Sequence, residues 1–251
     1  MVLRTALENY LNEFLKKRYL NDYCPNGLQV EGKLKINNII TGVSANLALL
    51  KEAIKEKADA IIVHHGYFWK GEAYEITGIK YRRIATLIKH NINLFAYHLP
   101  LDIHPQLGNN VMLAKNLECK IIGEFDTNTQ PSYGILCQSS PISLTALKQN
   151  IERKLRRKSL AVGPNKKVIQ KVAICTGGAQ DFIEAAFCAG ADVYISGEIS
   201  ERTTHIAHEL GISYIAAGHH ATERYGIKAL GEHLDSKFKL THRFIDVDNP
   251  V

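Results

Sequence analysis

IITGVSANLALLKEAIKEKADAIIVHHG, residues 39–66, and VAICTGGAQDFIEAAFCAGADVYISGE, residues 172–198, follow one plan. Each begins as an apolar run reaching Thr-Gly, continues as an amphipathic segment at helical spacing, and passes Ala-Asp into a second apolar run. A gap of two residues near the start of the helix aligns them. The likeness continues in FAYHLPLD (95–102) and AAGHHATE (216–223), short apolar runs that end at a histidine with a carboxylate four residues later. In this register His98 and Asp102 match His219 and Glu223, while His64-His65 match Gly197-Glu198. Self-similarity of this kind marks a structural unit used twice.

The unit reads as β-α-β-(α)-β, which predicts an α/β protein of two similar lobes, with mixed sheets flanked by helices. Right-handed crossovers place the Thr-Gly turns and the histidines at the carboxyl ends of strands, the edge where open α/β sheets bind ligands. A metal site in a cleft between the lobes is the expectation. We read residues 1–251 as one domain, with lobe one at 1–125, an insertion or small subdomain at 126–168, and lobe two at 169–251. The middle stretch carries Pro131, Pro141, Gly163 and Pro164 and a helix-like SLTALKQNIERKLRRK, for which Ser143 is the expected N-cap.

Composition removes several classes. With 45% apolar and 22% charged residues in 251, the chain folds and is not disordered. No apolar run approaches the roughly 18 residues of a membrane span. Leu3, Leu7, Tyr10, Leu11 and Phe14 alternate with Glu8, Glu13, Lys16 and Lys17, an amphipathic helix rather than a signal peptide. The five cysteines, Cys24, Cys119, Cys137, Cys175 and Cys188, are odd in number and lack C-x-x-C spacing. That argues against a disulfide framework or a structural zinc site and suits a reducing cytoplasm. Cys175 and Cys188 fall in the apolar pattern and read as small buried hydrophobes.

The net charge of +6 concentrates in Arg153, Lys154, Arg156, Arg157, Lys158, Lys166 and Lys167. This stripe reads as a solvated helix face. Nucleic-acid or polyphosphate binding is the alternative, weakened by the absence of interleaved aromatics.

Seven of the eleven histidines lie near the strand ends: His64, His65, His98, His104, His205, His219 and His220. Imidazoles with carboxylates, and no thiolate spacing, suit Zn, Mn, Fe or Ni. The metal candidates are His64, His65, Asp102, His219 and Glu223, holding two divalent ions per chain. Adjacent strand residues point to opposite sides, but at a strand end His64 and His65 can reach two different ions. Glu223 is the expected bridge, since one carboxylate spans a pair about 3.5–4 Å apart. If HATE opens a helix, His219 and Glu223 share a face. His104, His205 and His220 are candidates to orient the ligands. Trp69, in GYFWKG, either stacks on a planar base, with Lys70 at a phosphate, or props the metal loop. Lys80, Arg82 and Arg83 read as exposed helical charge. The Thr-Gly turns are incomplete as nucleotide fingerprints.

DYCPNGLQVEG (22–32), VHHG (63–66), HLPLD (98–102) and GHHATE (218–223) occur in that order. With these motifs the chain resembles the Nif-three-like family of GTP cyclohydrolase I type 2 homologues, in its YbgI-like bacterial branch, over almost its full length. The resemblance implies one ion on His64, Asp102 and Glu223 and another on His65, His219 and Glu223. It also implies a toroidal homohexamer with the sites facing an internal cavity. The reaction implied is hydrolytic opening of the guanine imidazole ring of GTP with formate release, by a metal-activated water, with His98 or His220 carrying the proton. The alternatives are a phosphoesterase or peptidase on the same centre, and a non-catalytic metal-binding ring that binds nucleic acid or a protein partner.

Overall fold

The structure is a computed structural model that describes residues 1–16 and 21–251; Lys17, counted above in the amphipathic pattern, lies outside the described residues. The chain forms two compact units. The first joins Met1–Leu107 to Ile227–Asp248, and the second joins Gly108–Gly226 to Asn249–Val251.

The first unit contains β1 (Val2–Leu3), α1 (Arg4–Phe14), β2 (Gly27–Val30), β3 (Lys35–Ile36), β4 (Asn38–Ser44) and α2 (Leu47–Lys55). It continues with β5 (Ala60–His65), α3 (Gly78–Lys89), β6 (Asn93–Ala96) and α4 (Leu99–Asp102). The second contains α5 (Asn109–Asn116), β7 (Lys120–Phe125), β8 (Gly134–Ile142), α6 (Leu144–Leu155), β9 (Leu160–Val162) and β10 (Ile169–Ile174). After a short 3-10 turn come α7 (Ile183–Cys188), β11 (Val193–Ser196), α8 (Glu201–Leu210), β12 (Ser213–Ala216) and α9 (His219–Phe238), and β13 (Thr241–Phe244) returns to the first unit.

The five-stranded sheet has the order β13-β4-β5-β6-β2 and the six-stranded sheet β7-β8-β10-β11-β12-β9. In each, three consecutive strands run parallel, β4-β5-β6 and β10-β11-β12. Each third strand is flanked by a short antiparallel partner, β2 or β9. Both sheets mix parallel and antiparallel pairs, the two-lobed α/β architecture expected from the repeat. The apolar strands bury both faces, as parallel strands between helix layers do. Ile39, Ala60, Ile62 and Phe95 join one cluster of the first unit, and Ile40, Ile61, Val63 and Leu94 the opposite one. In the second unit Val172, Ile174, Val193 and Ile195 alternate in the same way with Ala173, Tyr194 and Tyr214.

Caps set the helix starts. Asn46 accepts from Leu49 N at 2.9 Å, Ser143 from Ala146 N at 3.2 Å as expected, and Ser200 forms a capping box with Thr203. The stretch 126–168 supplies β8, α6 and β9, so both strands are part of the six-stranded sheet. In α1, Leu7 and Leu11 are buried, as the amphipathic pattern requires.

The two-residue gap in the repeat has a structural cause. β4 runs on past Thr41-Gly42, pairing Gly42 with Val63 and Ser44 with His65. β10 ends at Ile174, and the Gly177 carbonyl accepts from Gly197 N and Glu198 N. Ser44 therefore stands where Gly177 does, and the two Thr-Gly pairs are not equivalent in the ladder. Cys175 is buried as expected, its thiol against the Tyr133 carbonyl at 3.3 Å, whereas Cys188 is exposed at the end of α7.

Candidate metal centre

In the first unit β5 delivers His64 and His65 to the carboxyl edge of the sheet, and β6 delivers Tyr97 and His98. His64 is fully buried, and its Nδ1 donates to the Tyr97 carbonyl at 3.0 Å. A carbonyl only accepts, so the proton sits on Nδ1 and Nε2 carries the lone pair. That Nε2 lies 3.5 Å from Asp102 Oδ1, at the end of α4. His65 turns the other way, its Nδ1 meeting Ser44 Oγ at 3.1 Å. The neighbouring rings are thus anchored on the segments that flank β5 on either side, with centroids 4.5 Å apart.

His98 is held by the motif that precedes β2. Its Nδ1 bonds Asp22 Oδ1 at 2.7 Å, and its backbone N–H donates to Asn26 Oδ1 at 2.7 Å. Asp22 also accepts from Asn26 Nδ2 and from Leu99 N, the latter at the start of α4. Burial pushes the Asp22 carboxyl up, but His98, Asn26 and Leu99 together hold it below the usual range. Burial and the Asp22 charge push the neighbouring Cys24 thiol up to about 12, which makes it a poor thiolate donor beside His98. His64, His65 and His98 each offer a ligand atom within 4.8 Å of the others. Trp69 packs edge-on against His98 at 5.0 Å and near His65 at 5.8 Å. In this unit it props the histidines.

In the second unit β12 ends just before His219, which opens α9. His219 Nδ1 bonds Glu198 Oε1 at 2.6 Å, and Nε2 lies 3.2 Å from Glu223 Oε2, one helical turn on. Glu223 is buried. Burial alone disfavours the His219 imidazolium, yet the hydrogen bonds and charges of Glu223 and Glu198 raise it to about 9. Gly177, at φ +72, makes room for the pair: a Cβ there would lie 2.2 Å from Glu223 Oε1 and 3.3 Å from His219 Nε2. A Cβ at Gly197 would lie 2.6 Å from the Gly177 carbonyl oxygen and from His219 Cα.

Each unit on its own therefore presents imidazole nitrogens beside carboxylate oxygens, groups that could hold a divalent metal ion. The fit is chemical: nitrogen and oxygen donors, with His64 and His219 locked at Nδ1 by acceptors in the way metal-ligating histidines are. Asp22, Ser44 and Glu198 were not among the expected site residues. Asp22 and Glu198 could have been sought, since both lie within or in register with the site motifs. His104 and His205 do not orient ligands. His104 Nδ1 accepts from Leu107 N at 3.1 Å and its ring packs on Phe14, while His205 is exposed on α8 beside Glu201. His220 is buried and donates its backbone N–H to the Val251 carbonyl. In the basic stripe Arg153 bonds Asn150, Lys154 pairs with Glu118 and Lys166 with Asp192. No helix among the described residues is long and apolar enough to cross a membrane.

Fold and site together define a duplicated α/β protein that carries histidine–carboxylate clusters at the carboxyl ends of its parallel strands. The chain belongs to the DUF34/NIF3 (NGG1p interacting factor 3) family, whose profile matches residues 2–250. It is 53% identical over 249 residues to the GTP cyclohydrolase 1 type 2 homolog of Vibrio cholerae, covering 98% of each chain. With the protein of that name from Escherichia coli K12 it shares 49% over 248 residues, 98% of this chain and 99% of the relative. Among solved structures it is similar to protein ybgI, described as of unknown function, with a TM-score of 0.96, 48% identity and full coverage of both chains.

Proposed function

We propose that this chain is a dinuclear metal-dependent hydrolase, with opening of the purine imidazole ring of GTP as its most specific form. The observation that carries the reading is the anchoring of His64 and His219 through Nδ1, with each Nε2 beside a carboxylate. In the proposed assignment His64, Asp102 and Glu223 hold one divalent ion, and His65, His219 and Glu223 hold the other. The names of the relatives support the substrate class. When bound, such ions supply Lewis acidity and bring the pKa of water toward neutrality.

The rest of the chemistry belongs to the side chains. His98 and His220 are the proposed proton carriers, and Asp22 orients His98. Trp69 fixes the His65 and His98 rings. The ring-shaped homohexamer and the cytoplasmic setting belong to the same proposal, checked by mass in solution and by fractionation.

The decisive experiment is elemental analysis of protein purified without added metal or chelator, followed by assay of GTP for formate release. We expect close to two equivalents per chain and formate release that disappears in Glu223→Ala. Protein that stays metal-free after incubation with Zn, Mn, Fe or Ni overturns the reading. Metal-loaded protein inert toward GTP removes that substrate and leaves the phosphoesterase and peptidase alternatives to a substrate scan.

A further inference from the structure

The second unit holds a cavity of about 580 Å³ that the proposed chemistry has not used. Arg157, Lys158 and Ser159 line it, together with Glu198, Ala216 and Val251. After α6 the chain turns through Arg156 in the left-handed conformation, at φ 54, and this turn carries Arg157 inward. Arg157 Nε donates to the Lys158 carbonyl at 3.1 Å. Its Nη1 is buried and has no hydrogen-bond partner among the described residues. The guanidinium occupies the space above Gly218, where a Cβ would lie 2.0 Å from Nη1. Gly218 itself sits at φ +103, so neither a side chain nor another residue's backbone preference fits there.

The Arg157 guanidinium lines the cavity beside Lys158, and a guanidinium recognises an anionic group through paired N–H donors. The volume is that of a small-molecule site. Glu198, in the cavity lining, is bonded to His219 Nδ1, so the cavity reaches to one hydrogen bond from a proposed metal ligand. Arg153, Lys154 and Lys166 of the same basic stripe are engaged elsewhere, with Asn150, Glu118 and Asp192. Of the stripe, Arg157 and Lys158 line this cavity.

We propose that this cavity is the phosphate-binding end of the substrate site, where Arg157 and Lys158 take the anionic group of a phosphorylated small molecule. The assignment rests on the metal-centre reading for where the remainder of that molecule lies. Its phosphate-binding part stands independently and is tested without metal.

Calorimetric titration of inorganic triphosphate into chelator-treated protein reads the site directly, because chelation removes any contribution from bound ions. We expect one-to-one binding that weakens about tenfold or more in Arg157→Gln, several-fold in Lys158→Gln, and less in Arg157→Lys than in Arg157→Gln. Arg153→Gln, which removes the same charge outside the cavity, is expected to stay within about twofold of the parent. Elemental analysis of Arg157→Gln is expected to show the parent's metal content whether or not triphosphate binds, so the two proposals fail separately. Circular dichroism checks that Arg157→Gln folds, and Lys158→Gln, at an exposed position, keeps the test open if it does not. No binding, unchanged binding in Arg157→Gln and Lys158→Gln, or equal loss in Arg153→Gln would overturn the assignment. So would tighter binding of a single-stranded oligonucleotide with the same Arg157 dependence, which would make the site one for nucleic acid.

Discussion

The two units hold the same kind of histidine by different means. In both, the third parallel strand ends just before a histidine whose Nδ1 bonds a carboxylate, at 2.7 Å for His98 and 2.6 Å for His219. The carboxylate comes from Asp22, ahead of β2, in the first unit and from Glu198, just beyond β11, in the second. The first unit has His65 at the register of Glu198, so its strand end is spent on a candidate ligand and the orienting carboxylate must be imported. Below the sites the units agree closely. Asp59 Oδ2 accepts from Asn37 N and Asn38 N, and Asp192 Oδ2 from Gln170 N and Lys171 N, all at 2.9 Å. The frame tolerates one solution for joining strands and two for furnishing the edge.

The sharpest way to break the comparison is at the proposed bridge. Elemental analysis of Glu223→Ala is expected to show loss of both ions, and of Asp102→Ala loss of about one. Equal retention in the two variants would refute the unequal roles. Next in size are the orienting carboxylates. Glu198→Gln is expected to lower metal affinity about 10–100-fold in a competition titration. Asp22→Asn should leave affinity near the parent value and lower kcat instead, because His98 is assigned to the proton.

The two Thr-Gly glycines, alike in sequence, are expected to differ. Gly177→Ala combines a left-handed φ with a clash against Glu223 and should cost about 2–4 kcal/mol in urea unfolding. For Gly42→Ala the obstacle is chiefly the end of the Leu49 side chain, so about 1 kcal/mol is expected. Similar losses would show that the ladder difference has no energetic weight.

The smallest effects test the shared clasp. Asp59 is the better shielded, its side chain 15% exposed against 33% for Asp192. Asp59→Ala should therefore cost about 2–3 kcal/mol and Asp192→Ala about 1–2. Burial pushes both carboxyls up, but lysine and backbone N–H donors hold them below the usual value of 3.8. The unfolded chain then takes up protons first. Their stabilisation is complete above about pH 5 and is lost as pH falls through 3.8 and below. The urea midpoint should fall less steeply over that range in Asp59→Asn than in the parent.

The repeat made the parallel strands legible because apolar runs bounded by Thr-Gly and Ala-Asp recur in one order. It did not reveal β2 and β9, which have four and three residues and no periodicity of their own. The helical spacing of His219 and Glu223 was readable, since i and i+4 share a face whatever surrounds them. The pairing of His98 with Asp22 was not, because 76 residues separate them and only the packing of the loop before β2 brings them together. Counting histidines also admitted His104 and His205, which lie near strand ends in sequence but serve a turn and an exposed helix.

The discontinuity of the first unit bears on biosynthesis. Its core includes Ile227, Leu230, Leu234 and Leu240 with Leu7 and Leu11, and β13 completes the edge beside β4. These residues are translated after the whole of 108–226. Through most of synthesis, then, β4 has an unpaired edge and α1 an incomplete bed, the exposed surface that nascent chains must keep from aggregating. The second unit needs only three residues from beyond its main segment. On the ribosome the main segment of the later half, Gly108–Gly226, is complete before the earlier half receives its last helix and strand.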